Sequence, residues 1–185
     1  MHHEVPFHSQ YEGITDPAWK WRGCGIVALK MVLDYWHIEK PENKTVPISE
    51  LLKVGREMNA YREEIGWIHS GLVRMAQRYG YEALNTDFAA NGPSPKSALE
   101  AWDALLNELQ HGPVLASVYA GLDSERGGGH IIIVTGFEND LVAFNDPEGT
   151  NAGDGKRFIV LSRFLSAFKR RAIIIRPGAS RDSQP

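Results

Sequence analysis

One cysteine occurs in the 185 residues, Cys24, and it stands in Gly23-Cys24-Gly25 at the mouth of an apolar helical run. A thiol at a helix N-terminus feels the positive end of the helix dipole, which favours the thiolate, the nucleophilic form of cysteine. Far downstream, Gly127-Gly128-Gly129 delivers His130 onto the start of a β-type run, and Asp146 ends the next one. Nucleophile, base and orienting carboxylate thus follow in the order Cys, His, Asp. Acyl transfer by a thiol requires a thiolate, an imidazole that holds the proton, a group that orients the imidazole, and donors for the developing oxyanion. Cys24 supplies the first and His130 the second. Asp146 or Asn145 supplies the third. The two adjoin in an extended segment, so their side chains face opposite ways and only one meets His130. The carboxylate is the expected partner, because it also stabilises the cationic ring. The side-chain amide of Gln10 and the backbone N–H of Cys24 supply the fourth.

Each residue also has a plainer role. A lone cysteine is often a small buried hydrophobe. Asp146-Pro147 is a common strand-ending turn, and residues 127–129 make a flexible one. Gln10 alone is an ordinary surface amide. The order and placement of the four together are what favour chemistry.

The elements that must carry these residues are legible as pattern. Residues 25–37 are apolar nearly all round, as a buried central helix should be. Ser49 and Ser70 are placed to cap two further helices, and Gly80 to end the second. Ser94-Pro95 opens a fourth, with Ala98, Trp102, Leu105 and Leu109 on its face. After Pro113 the pattern changes to short β-branched or aromatic runs at 114–119, 130–137, 141–145, 157–161 and 172–175, with a short helix at 162–168. Helices first and closely spaced strands later predict an α+β fold with a mainly antiparallel sheet. No repeat or linker interrupts residues 1–176, which read as one domain, and 177–185 reads as a flexible polar tail.

Bulk properties narrow the function. Net charge is −3, so no broad basic field points to nucleic acid or an anionic membrane. A single cysteine excludes an internal disulfide framework and a thiolate-rich zinc site. His2, His3 and His8 match no metal-ligand spacing and are expected in a frayed terminus, while His69 and His111 are expected at solvated helix ends. The start lacks the apolar core of a signal peptide and no run reaches membrane-spanning length, so the expected setting is cytoplasmic. Most tryptophans read as core. Trp19 and Trp21, just before Cys24, are expected to wall a cleft with Gly128 and Gly129, where glycine lets a substrate backbone approach.

Several segments together resemble a known group. They are Val5-Pro6-Phe7-His8-Ser9-Gln10, Gly23-Cys24-Gly25 leading into Ala28, Met31 and Leu33, Gly112-Pro113-Val114, and Gly129-His130 followed by Val134, Gly136 and Asn145-Asp146-Pro147. They look like the papain-like cysteine peptidases of the bacteriocin-processing group and their stand-alone relatives, over residues 5–149. The resemblance implies a papain-like fold with the cysteine at the start of a central helix packed on the sheet. It implies Gln10 as oxyanion glutamine, Cys24 as nucleophile, His130 as base and Asp146 as orienting group. It implies a peptide or protein substrate and no metal or organic cofactor. The stretch between Gln10 and Cys24 is longer than in the leader-processing peptidases. With no transporter in the chain, double-glycine leader substrates are not implied. The expected activity is thiol-dependent cleavage of amide bonds through a covalent acyl-enzyme. A transpeptidase or an amidase acting on a non-protein amide would keep the same site. A catalytically silent peptide- or partner-binding domain is the rival from another class.

Overall fold

Ile26, Val27, Leu29, Met31 and Leu33 leave no side of their helix polar, and that helix lies buried at the centre of the molecule. The computed structural model describes residues 1–89 and 97–178. In chain order the elements are α1 (Gln10–Gly13), α2 (Pro17–Lys20), α3 (Cys24–Glu39), α4 (Ile48–Glu57), β1 (Tyr61–Arg62), β2 (Gly66–Trp67), α5 (His69–Arg78), β3 (Tyr81–Asp87) and α6 (Ala98–Leu109). There follow β4 (Val114–Val118), β5 (His130–Glu138), β6 (Leu141–Asn145), α7 (Ala152–Gly155), β7 (Lys156–Val160), α8 (Leu161–Ala167) and β8 (Phe168–Pro177).

Six strands form one antiparallel sheet in the order β3-β8-β4-β5-β6-β7, and β1 pairs with β2 as a separate small hairpin. Helices cover both faces. Leu115, Ile131, Ile133 and Ile173 belong to the core shared with α3, α4 and α5, while Ala116, Ile132, Val134 and Ile174 belong to the core under α6 and α8. Burial on both faces is why these strands read as continuous apolar runs rather than alternating ones. The fold is α+β with a mainly antiparallel sheet.

Several local expectations change. Ser49 lies inside the first turn of α4, which starts at Ile48 after Pro47. Likewise α5 starts at His69 after Ile68, one residue ahead of Ser70. The Ser94-Pro95 helix start lies outside the described residues, as does the tail from residue 179 on. Ser97 caps α6 with Glu100 in a reciprocal capping box, a Ser-x-x-Glu signal present in the sequence. Strand β3 is absent from the pattern reading because it is a sheet edge whose burial does not alternate cleanly. The N-terminus is not frayed. His2 bridges to Gly136, and the backbone N–H of His3 donates to Thr135. The His3 ring bonds the Tyr35 hydroxyl and the Leu109 carbonyl, and His8 pairs with Asp34 at 2.7 Å. Among the described residues, no helix is long and apolar enough to cross a membrane.

Candidate active site

Cys24 is the first residue of α3, preceded by Gly23 in helical conformation with no side chain capping the end. Two glycines bring other elements against it. A Cβ on Gly23 would stand 3.2 Å from the Gln10 Cβ, and one on Gly25 would stand 2.6 Å from Cγ of Trp67. The helix end is therefore wedged between α1 and the Trp67 indole, whose N–H donates to the Arg22 carbonyl. Gln10 opens α1, and its backbone N–H donates to the Pro147 carbonyl at 2.9 Å. The residue is 1% exposed, and among the described residues its Oε1 has no hydrogen-bond partner. An amide held dry with one end unsatisfied is unusual and is a common mark of a functional site.

His130 is the first residue of β5, and Asp146 follows the last residue of β6, so both stand at one end of the sheet. Asp146 Oδ1 accepts from Nε2 of His130 at 2.7 Å and from the Glu148 N–H at 3.0 Å. Oδ2 accepts from Arg157 at 3.0 Å. Nδ1 of His130 lies 3.9 Å from Glu148. Burial alone would favour the neutral ring. The hydrogen bond to Asp146, the hydrogen bond and charge of Cys24, and the charge of Asp146 outweigh it and raise the imidazole to about 10. Burial likewise works against the Asp146 anion. The His130 bond and charge, the Glu148 N–H and Arg157 reverse that and hold the carboxyl below its usual range. Both shifts favour the charged forms, an imidazolium paired with a carboxylate.

Asn145 points the other way. Its Nδ2 donates to the Val5 carbonyl at 3.2 Å and approaches the Met31 sulfur. His130, Asp146 and Glu148 bring ligand atoms within 4.8 Å of one another, as a metal site would. Here Nε2 of His130 and both Asp146 oxygens are hydrogen-bonded, and Arg157 brings positive charge onto Asp146. That suits an ion pair better than a cation site.

A cleft of about 440 Å³ opens beside Cys24 and His130. Trp21 and Gly129 line it, and Trp21 is 77% exposed. Trp19 does not reach it. That ring packs behind the wall against Tyr61 and Trp67, with Arg56 over its face. Gly128 does not line it either; its carbonyl accepts from Lys169. Trp67, read as core, is a cleft wall as well, with Trp19 of the 10–24 segment packed against it. His69 is partly buried rather than free in solvent. It lines the cleft and bonds Ser117 at 2.6 Å, and burial with the nearby Arg171 and Lys169 charges lowers its pKa. Nothing in the local pattern marks Arg157, Ser117 or Lys169, because their proximity comes from strand pairing alone.

The model of the Peptidase_C39 like family matches residues 2–172. Among solved structures, the chain is similar to a double-glycine-motif protease from an AMS/PCAT transporter, determined with the leader peptide. The identity is 18%, with 95% of this chain and 94% of that one covered and a TM-score of 0.62. It is similar to the peptidase domain of Streptococcus ComA, a bifunctional ABC transporter of a quorum-sensing pathway, at 20% identity, 85% and 93% coverage and a TM-score of 0.58. It is also similar to the Carica candamarcensis cysteine protease CMS1MS2, determined with E-64, at 14% identity, 94% and 93% coverage and a TM-score of 0.59. No curated protein sequence matches the chain significantly. The fold is papain-like.

Proposed function

The chain belongs to the Peptidase_C39 like family, and from that premise we propose that it is a cysteine peptidase acting on a peptide or protein substrate. The observation that carries the reading is His130, anchored on Asp146 at 2.7 Å and lining one cleft with Cys24, from which more than half the chain separates it. Cys24 and His130 form the thiolate–imidazolium pair, and the Cys24 sulfur attacks the substrate carbonyl carbon. The carbonyl electrons move onto oxygen, which takes hydrogen bonds from the Cys24 backbone N–H and the Gln10 amide. His130 gives its proton to the leaving nitrogen as the C–N bond breaks, and a thioester to Cys24 remains. His130, now neutral, takes a proton from water as the water oxygen attacks the thioester. The acid leaves and the ion pair is restored. Asp146 fixes the ring tautomer throughout and stabilises its cation. The working unit is the single domain 1–176.

Thiol labelling tests this without a known substrate. Iodoacetamide should modify Cys24 readily below pH 7, and His130→Ala should slow that by at least about tenfold, as loss of an imidazolium partner would. Labelling indifferent to His130 would sink the peptidase reading.

A further inference from the structure

The cleft has a charged end that the hydrolytic machinery does not use. Lys169 and Arg171 line it, together with Asn85, Asp87 and the start of α5. A register shift in the β4–β8 ladder puts them there. Ser117 pairs with Arg171, but Val118 pairs with Phe168, so Lys169 and Arg170 bulge out of the ladder, with Arg170 at φ 57°. Bulges of this kind re-aim side chains next to functional sites.

The charges at this end do not balance. Arg171 donates from Nε to Asp87 at 2.8 Å. Lys169 meets only neutral groups: it donates to the Gly128 carbonyl at 2.8 Å and sits 4.8 Å from the centre of the Tyr119 ring. Among the described residues no carboxylate pairs with it. Among the described residues two cations therefore face one carboxylate, and burial and Arg171 both press on the Lys169 ammonium, lowering its pKa. The N-terminus of α5 adds a partial positive charge, and Ile68 at its cap offers no side-chain hydrogen bond. His69 adds none in its neutral form.

This end lies close to the reacting atoms. A Cβ on Gly129, the residue before His130, would stand 3.8 Å from Nζ of Lys169. Nδ1 of His130, the ring atom that would give its proton to the leaving amine, lies 3.9 Å from Glu148, which is outside the cleft wall. An amine leaving over Glu148 would put the acyl chain in the cleft, at this end.

We propose that Lys169, Arg171 and the start of α5 form a carboxylate subsite, so that this peptidase takes substrates with an acidic side chain two or three residues into the acyl side; this rests on the peptidase reading above. A neutral side chain there leaves the Lys169 charge unanswered, and a basic one meets repulsion.

The test uses acetyl-Glu-Ala-Gly and acetyl-Ala-Glu-Gly chloromethyl ketones and twins carrying Gln or Lys in place of Glu. Cys24 alkylation is followed by mass spectrometry, and each rate is divided by the iodoacetamide rate of the same protein. One Glu probe should react about tenfold faster or more than its Gln twin, the size of a hydrogen bond to a charged group. The Lys twin should be slower still. Lys169→Gln should bring the Glu-to-Gln ratio close to one, and Lys169→Arg should keep it high. Equal rates for Glu and Gln at both positions in the unmodified protein overturn the subsite, as does a Glu preference that survives in Lys169→Gln. Failure of the peptidase reading looks different. Then no chloromethyl ketone outpaces iodoacetamide, alkylation is independent of His130, and the subsite falls with it.

Discussion

His130 and Asp146 share one face of the sheet because β5 contains one residue more than β6 requires. The hairpin sets Glu138 opposite Leu141 and Gly136 opposite Ala143, and the ladder then skips Thr135, so Val134 meets Phe144 and Ile133 meets Asn145. Continued by one step, that register sets Asp146 opposite Ile132, diagonal to His130 and on its face, within reach of a long side chain. Without the bulge every later residue of β6 would shift by one, and Asn145 would share the His130 face instead. The N-terminal segment braces this point, for His3 donates to the Thr135 carbonyl and His2 bridges to Gly136.

Substitution of the two neighbours should therefore separate chemistry from stability. Asp146→Ala should lower turnover by at least about 10²-fold, since it removes the group that holds the tautomer and the cation. Asn145→Ala should leave turnover within a few-fold and cost about 1 to 2 kcal/mol in denaturant unfolding, because its amide satisfies the buried Val5 carbonyl. A larger turnover loss in Asn145→Ala than in Asp146→Ala would reverse the assignment.

The ion pair should also shape stability against pH. His130 is raised from 6.5 to about 10, so its contribution is complete below pH 6.5 and is lost as pH climbs through 10. Asp146 is lowered from 3.8, so its contribution is complete above that value and is lost as pH falls through its native value. The Tm gap between the unmodified protein and Asp146→Asn should be widest between about pH 4 and 6.5 and narrow on both sides. A gap that is flat from pH 3 to 10 would show that the pair is not ionised in the folded protein.

Much of this was legible in the sequence, and the rest was not for identifiable reasons. Cys24 at a helix start, His130 at a strand start and Asp146 at a strand end are local features that residue pattern reports directly. The Thr135 bulge is not, because nothing in Ile-Val-Thr-Gly-Phe announces an extra residue until β6 is paired against it. The misplacement of His69 has the same cause. A helix boundary is usually wet, but this one abuts Ser117 on β4, and only strand order reveals that. Ser49 and Ser70 were natural caps by residue type, yet the chain bends into each helix two residues earlier, at Pro47 and Ile68.

Gly25→Ala should destabilise the protein, against ordinary helix propensity. In an open helix that change gains up to about 1 kcal/mol. Here the new methyl group would stand 2.6 Å from Cγ of Trp67. Trp67 cannot easily retreat, being hydrogen-bonded to Arg22 and packed against Trp19 and Tyr61. The net loss should be about 1 to 3 kcal/mol, the usual cost of overpacking, read as a lower midpoint in denaturant. Because Trp67 also lines the cleft, KM should rise. A midpoint equal to or above that of the unmodified protein would mean that the indole has room to move.

Gln10 offers the sharpest separation of role from structure. Its backbone N–H holds α1 to the Pro147 carbonyl, one residue beyond Asp146. That bond survives any side-chain change. The side chain itself makes no stabilising bond through Oε1, although it is fully buried. If its amide N–H groups serve the oxyanion, Gln10→Ala should lower kcat by about 10²-fold to 10³-fold. Tm and iodoacetamide labelling of Cys24 should change little, because the nucleophile and its partner are untouched. Gln10→Glu should be worse than Gln10→Ala, since a carboxylate beside the developing oxyanion repels it. An unchanged kcat in Gln10→Ala would show that the second donor comes from another group, and the backbone between Trp19 and Gly23 would be the next place to look.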